Sequence, residues 1–302
     1  MNTKVVSSDS RYEVEIDLLD VANILWLGKK TIVTVTFVFA CISVIYALLL
    51  PNIYRADAVL APANEAQRSV GLGGQFSAAA NLAGINLNQV STKTQNAMAI
   101  MQSRKFVKNF VQAHGLLVPL MAGKWDRQQG RNIIDPTIFD EASQTWLGSN
   151  VPTVPSDLDV FQVFNNIMNV SQNVDTGLFA VSIEWTDPQQ ASQWVNWLIT
   201  DINEKVRETD LAEANNAISY LRNQVSTTQL VEMQRVFYGL IETQTRIVML
   251  ADVRDEYVFE IIDPAVAPEV KVSPSRAIIC ILGSILGGVL ASFYLLIRRY
   301  AS

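Results

Sequence analysis

The chain has 302 residues, of which 49% are hydrophobic, and it carries 23 Lys and Arg against 29 Asp and Glu. The net negative charge is unlike the basic surface with which proteins bind nucleic acid, so we expect no nucleic-acid partner. One histidine and two cysteines leave little material for a histidine-rich metal site or a disulfide framework, and we expect no cofactor.

The first 30 residues form an acidic tail. Its acidic side chains are Asp9, Glu13, Glu15, Asp17 and Asp20. Apolar residues within 12–27 recur at near-helical spacing, which predicts a short amphipathic helix on the membrane surface, with Trp26 at the level of the headgroups.

Two uncharged segments of about 20 residues, 31–50 and 277–297, lie near the two ends of the chain. A helix of that length crosses the hydrocarbon core, and a backbone in lipid must satisfy its own hydrogen bonds, so both predict transmembrane helices. A signal peptide is the alternative for the first segment, but its apolar region would be about 7–15 residues long behind a short basic start. The longer segment and the acidic tail before it favour an uncleaved anchor.

Basic residues suggest the orientation of the two spans. Lys29 and Lys30 directly precede the first span, and Arg298 and Arg299 directly follow the second. Because Lys and Arg mark the cytoplasmic side, we predict cytoplasmic tails at 1–30 and 298–302 and a single periplasmic domain at 51–276. Three basic residues at the opposite ends weaken this bias: Arg55, Lys271 and Arg276.

The domain is predicted to start with a strand, because small and apolar residues alternate there with polar ones. The alternating set is Tyr54, Ala56, Ala58 and Leu60. Residues 64–92 are rich in Gly, Ser, Ala and Asn and predict a loop or a short helical insert. The stretch 94–113 predicts one amphipathic helix ended by Gly115. Residues 120–156 show no clear period, and a further helix is expected over 158–168.

Two strands, 169–174 and 178–185, are predicted next, with a turn at 175–177. A long helix follows, with Asp187 as N-cap and Pro188 at its first position. Residues 188–250 could form 63 residues of helix, about 95 Å long. The Ser and Thr cluster at 226–228 is the predicted break, giving a kink or a helical hairpin.

After a strand over 257–263, a proline-rich connector leads into the second span. Its prolines, Pro264, Pro268 and Pro274, are predicted to lie close to the membrane. The predicted fold class is an α+β membrane protein. Two transmembrane helices flank a periplasmic domain with a small mixed α/β base and a long helical arm.

The sequence shows no group of residues with the types and spacing of a catalytic site. His114 ends a predicted helix, where a histidine interacts favourably with the helix dipole, so we interpret it as structural. The glycines at 71–74 lack the Lys and Ser/Thr of a phosphate-binding loop. Acidic pairs such as Asp157 and Asp159 are typical of a solvated face, and Trp185, Trp194 and Trp197 of core packing. We predict no catalytic, cofactor or metal site and no enzyme.

Small residues recur four apart in the second span. Gly283 pairs with Gly287, and Ser284 with Gly288. Such spacing lets two helix backbones approach closely in a membrane. The sequence leaves open whether the partner is the first span or a second copy.

Three segments together resemble the Wzz-type chain-length determinants, a family of polysaccharide co-polymerases. They are PNIYRADAVLAP after the first span, AMAIMQSRKFVKNFV, and EYVFEIIDPAVAPEVKVSPSRAIICILGSILGGVL near the end. Their order, combined with the two spans, carries the resemblance over nearly the whole chain. Because no phosphate-binding loop follows the second span, the chain resembles the class without a kinase domain.

The resemblance implies a non-enzymatic regulator of the modal chain length of a bacterial surface polysaccharide, such as lipopolysaccharide O-antigen. It implies ring-like homo-oligomers, with α/β bases at the inner membrane and long helices in the upper wall. The implied partners are the bilayer and the inner-membrane polymerase, with the growing polysaccharide as a further candidate.

Three other function classes are weighed against this one. A periplasmic adaptor of an export system is the main alternative, although such a protein would need no second span. An anchored sugar-active enzyme would show a cleft with paired carboxylates of perturbed acidity. A receptor is the weakest, because the five residues after the second span cannot form an output domain.

Overall fold

A computed structural model describes residues 26–63, 87–126, 131–147 and 154–301. The chain divides into two compact units, one made of Met1–Pro51 with Pro274–Ser302 and one of Asn52–Ser273. Nearly all of the predicted tail helix, the glycine run at 71–74 and most of the predicted insert lie outside the described residues.

The helices and strands of the described residues have the following bounds. The helices are α1 (Lys29–Leu49), α2 (Leu87–Met101), α3 (Arg104–Ala113), α4 (Leu117–Ala122), α5 (Asp157–Ile167), α6 (Pro188–Thr227), α7 (Val231–Val253) and α8 (Arg276–Ala301). The strands are β1 (Ile53–Pro62), β2 (Gly123–Asp126), β3 (Arg131–Ile134), β4 (Phe139–Asp140), β5 (Thr145–Trp146), β6 (Met168–Gln172), β7 (Phe179–Trp185), β8 (Phe259–Asp263) and β9 (Lys271–Ser273).

Both predicted spans are helices. α1 and α8 are long and apolar enough to cross a bilayer. Within their unit the two helices pack against each other. Most of their large apolar side chains are exposed, as expected for helices whose solvent is lipid.

An antiparallel sheet forms the centre of the second unit, in the order β6-β7-β1-β8, with β9 pairing with the start of β1. In the register, Ala58 of β1 lies opposite Val181 of β7, which lies opposite Val170 of β6. The side chains of Ala56, Ala58 and Leu60 are buried, which confirms the predicted alternation. The mixed α/β base of the predicted fold class is therefore confirmed.

The first half of α6 packs on this sheet. Asp187 caps the helix as predicted, because its carboxylate accepts the backbone N–H groups of Gln189 and Gln190. Trp194, Leu198 and further apolar residues down to Val206 are buried in the same core as α3 and α5. The helix is therefore held at its root by core packing, and its second half continues beyond the core.

The prediction of one helix over 94–113 is wrong, because the structure has two. α3 begins anew at Ser103, whose hydroxyl accepts the backbone N–H of Phe106 at 3.2 Å. A serine at an N-cap satisfies a helix donor that would otherwise lack a partner. The predicted stop is confirmed, since Gly115 follows with φ of +64°, a conformation that favours glycine.

Residues 117–126 and 131–147 build a small satellite that the sequence did not predict. β2 pairs with β3 and β4 with β5, each pair antiparallel. The rings of Phe139 and Trp146 meet edge to face at 5.0 Å and form its own small core with Ala122. Strands of two to four residues are too short to show an alternating pattern.

Candidate functional site: the span pair and the helical hairpin

The predicted glycines of the second span lie against the first span of the same chain. A Cβ atom added at Gly283 would come within 2.5 Å of the Cβ of Ser43, and one added at Gly287 within 2.6 Å of the Cβ of Phe39. No larger residue fits at either position without movement of the neighbour. The backbone of α8 therefore packs directly on the side chains of Ser43 and Phe39 in α1.

The other predicted site residues make weaker contacts. Ser284 donates its hydroxyl hydrogen bond to the carbonyl of Cys280 in its own helix. A Cβ at Gly288 would meet only the hydroxyl of Thr36, at an ordinary distance of 3.5 Å. Pro264, Pro268 and Pro274 lie outside helices and strands, in the segments on either side of β9.

Beyond the core, α6 and α7 form a helical hairpin. The chain turns between Thr227 and Val231, at the predicted break. Buried and half-buried residues recur three and four apart on both helices: Leu211, Ala214, Ile218, Leu221 and Val225 on α6, and Gln234, Phe237, Ile241, Gln244, Val248 and Ala251 on α7. This is the spacing of an antiparallel two-stranded coiled coil, and we call it the seam.

A second set of residues on α7 follows the same three-and-four spacing. It comprises Met233, Val236, Leu240, Thr243, Ile247 and Leu250, which we call the outer stripe. The stripe lies about 100° around the helix from the seam, because each of its residues directly precedes a seam residue. Val236 is 58% exposed, Leu240 45% and Met233 44%.

The rest of the exposed surface of α7 is mixed, because Tyr238 and Met249 are exposed there beside charged residues. Charged pairs stand there one turn apart, Glu232 with Arg235 and Glu242 with Arg246. Exposed apolar residues that recur at helical spacing make the outer stripe a candidate contact surface for another protein. The sequence carried this signal, but two interleaved heptads can be separated only when the seam is known.

The ionisable residues singled out in the sequence have structural partners. The Nε2 of His114 lies 3.0 Å from the Oδ2 of Asp201, and its ring stacks on Trp197 at 4.3 Å. Asp157 pairs with Lys108, while Asp159 completes a capping box with Ser156 at the start of α5. Hydrogen bonds from Ser156 hold the pKa of Asp159 below its usual value. Among the described residues, no group of three or more His, Cys, Asp or Glu side chains could hold a metal ion.

Comparison with protein families gives a match over part of the chain. Residues 14–114 match the family described as Wzz: chain length determinant protein. Ferric enterobactin transport protein FepE of Escherichia coli strain K12 is 40% identical over 53 residues, which are 18% of this chain. The match spans 14% of the length of that relative.

Two solved structures are also similar. A full-length bacterial polysaccharide co-polymerase has a TM-score of 0.40 and 11% identity, with 94% of this chain and 98% of that chain covered. A fragment of WzzB, a polysaccharide co-polymerase from Salmonella Typhimurium, has a TM-score of 0.29 and 12% identity, with 74% and 100% covered. The resemblance seen in the sequence is confirmed: over residues 14–114, this chain carries the pattern of the Wzz chain length determinant family.

Proposed function

We propose that the protein regulates the modal chain length of a bacterial surface polysaccharide, most directly lipopolysaccharide O-antigen, without being an enzyme. It works as a homo-oligomer in the inner membrane, together with the polysaccharide polymerase. The observation that carries the proposal is the match of residues 14–114 to the chain length determinant family.

The outer stripe supports the homo-oligomer. Each large apolar side chain removed from water stabilises an association by about 1.5–3 kcal/mol, so an exposed heptad stripe favours a second helix over solvent. A polysaccharide is too polar to cover the outer stripe well, so a protein surface is the better partner for it. A second copy of the same chain can supply that surface, because it is present in every membrane that contains the protein.

The paired charges support the proposed orientation. Lys29 and Lys30 open α1, while Arg298 follows at the far end of α8. With these charges in the cytoplasm, Asn52–Ser273 lies in the periplasm.

A second candidate function is an adaptor of an export system. The similarity to FepE, a ferric enterobactin transport protein of Escherichia coli, favours it. In that case the hairpin would contact another component of the transport system, and loss of the protein would stop transport without changing polymer length.

The deciding experiment compares the size distribution of surface polysaccharide on a gel with and without the gene. Loss of the modal cluster, with polymer still made, is the result expected of a chain-length regulator. An unchanged ladder would contradict the proposal and direct attention to transport assays. Complete loss of polymer would indicate an essential role in synthesis or export.

A further inference from the structure

Three side chains on α6 hold the segment that returns from the hairpin. They are Asn196, Asn203 and Asp210, seven residues apart, and they lie on one face of the helix. Their partners on the return segment 257–265 run in the opposite direction along the chain. We call the three side chains and their partners the polar ladder, with Asn196 as its lower rung, Asn203 as its middle rung and Asp210 as its upper rung.

The middle rung binds backbone on the outer side of the sheet. The buried side chain of Asn203 accepts the N–H groups of Val258 at 2.8 Å and Phe259 at 2.9 Å, and its amide donates to the carbonyl of Phe259 at 3.0 Å. β8 is an edge strand of the four-strand path. The side chain therefore supplies the pairing that a further strand would give.

The lower rung repeats this arrangement further along the return segment. Asn196 donates to the carbonyl of Ala265 at 3.0 Å and accepts its N–H at 3.2 Å. Ala265 is buried and directly follows Pro264, at the beginning of the connector. The connector is thus bound to α6 through both polar groups of one residue.

The upper rung is ionic and lies where α6 leaves the core. Asp210 accepts the hydroxyl of Tyr257 at 2.7 Å and the ammonium of Lys93 at 2.7 Å. That ammonium also lies 3.7 Å from the centre of the Tyr257 ring. Burial and the contact with Asp210 raise the pKa of Tyr257, so its hydroxyl stays a donor at neutral pH.

Hydrogen bonds of this kind fix a register, whereas apolar contacts alone allow sliding. A slip of one residue along the return segment would leave buried donors and acceptors unpaired, at about 1–3 kcal/mol each. The ladder ends where the seam of the hairpin begins, since Leu211 directly follows Asp210. The register of the ladder therefore sets where the hairpin starts relative to the connector.

We infer that Asn196, Asn203 and Asp210 are positioning residues that fix the hairpin against the connector and thereby set the modal polymer length. This inference rests on the proposed function. It differs from a purely structural role, because it requires folded variants with altered register to produce polymer of a different modal length.

The test uses the full-length protein expressed from its own gene in the deletion strain. Asn203→Leu removes all three hydrogen bonds, whereas Asn203→Asp keeps the two acceptor contacts and replaces the donor with a buried carboxylate oxygen that faces the carbonyl of Phe259. Asn216→Leu makes the same change at an exposed position of α6 and serves as the matched control. Membrane levels, modal length, and hydrogen exchange of peptides covering 257–261 in detergent are measured for each.

We expect Asn203→Leu to shift the modal length and to speed exchange in the return segment by about tenfold or more. Asn203→Asp should shift the length less, and Asn216→Leu should leave both readouts unchanged. If Asn203→Leu fails to accumulate, the comparison rests on Asn203→Asp. Faster exchange with an unchanged modal length, in whichever variant is at normal level, would overturn the inference alone. An unchanged ladder in the deletion strain would overturn the proposed function and the inference together.

Discussion

The protein contains two pairs of antiparallel helices that are held together in different ways. In the span pair, Gly283 and Gly287 of α8 bring the backbone directly against α1. In the hairpin, α6 and α7 meet at heptad spacing mainly through larger side chains, with Ala214 and Ala251 as the small exceptions. The span pair depends on small residues, and the hairpin depends mainly on buried apolar area.

The difference follows from the solvent around each pair. Lipid is as apolar as a leucine side chain, so helices in a membrane associate through close packing and not through a hydrophobic driving force. In water, burying apolar area is the main favourable contribution. Apolar residues exposed on α1 and α8 are therefore ordinary and carry no information about a partner. On α7, which is not a span, the exposed outer stripe is a candidate contact surface.

The largest expected effect comes from placing charges in the outer stripe. Val236→Glu combined with Leu240→Glu should weaken self-association by at least about a hundredfold, because two apolar burials of about 1.5–3 kcal/mol each are lost. Sedimentation of the detergent-solubilised protein measures the change. The seam is untouched, so the helix content should not fall.

Thr245→Glu, on the charged side of α7, is the matched control and should leave the oligomer intact. An oligomer of unchanged size in the double variant would show that the stripe is not the contact between copies. Loss of helix content would show that the stripe belongs to the fold of the hairpin.

A smaller effect is expected in the span pair. Gly287→Ala should destabilise it by about 1–3 kcal/mol, because the new methyl would lie 2.6 Å from the Cβ of Phe39. Unfolding of the two-span unit by titration with a denaturing detergent measures this. Gly288→Ala is the neighbouring control, and equal results for the two variants would contradict the close packing.

The same substitution in the hairpin should have the opposite sign. Around Gly239 an added Cβ would meet no atom within 4 Å. Gly239→Ala should therefore stabilise α7 by up to about 1 kcal/mol, the difference in helix propensity. Thermal unfolding followed by circular dichroism measures it, and a destabilised variant would mean that the glycine is needed for a contact between copies.

An effect similar in size to that at Gly239 is expected at α5, which belongs to neither pair and serves as a reference. Ser156→Ala removes the helix cap and should cost about 1 kcal/mol. Since the pKa of Asp159 is held low in the folded state, its contribution is complete above about pH 4 and is lost as the pH falls through the folded value. The stability difference between the two proteins should narrow at low pH, because the hydrogen bond from the Ser156 hydroxyl to the Asp159 carboxylate is lost there while the cap on the Asp159 N–H remains. A constant difference would contradict the capping role of this carboxylate.

Much of the fold could be predicted because local signals agreed with the tertiary structure. The alternation of β1, the cap at Asp187 and the break before Val231 each depend on neighbouring residues only. Ser103 was missed because a serine inside an apolar helical pattern does not reveal that its hydroxyl caps a new helix.

The polar ladder and the outer stripe could not be predicted for a different reason. Asn203 in a helix is typical of a solvated face, and only the position of β8 shows that it is buried. Likewise, the partner of α7 had to be located before its remaining apolar residues could be recognised. Both features depend on which face of a helix is already occupied.

The pairing of β9 with β1 has a practical consequence. Ile53 lies opposite Ser273, so the segment Asn52–Ser273 begins and ends in adjacent positions of one sheet. Neighbouring strands are about 4.8 Å apart, and a linker of a few residues can bridge that gap. The domain is therefore suited to cyclisation or to insertion into a host loop, which would yield a water-soluble version without its membrane anchors.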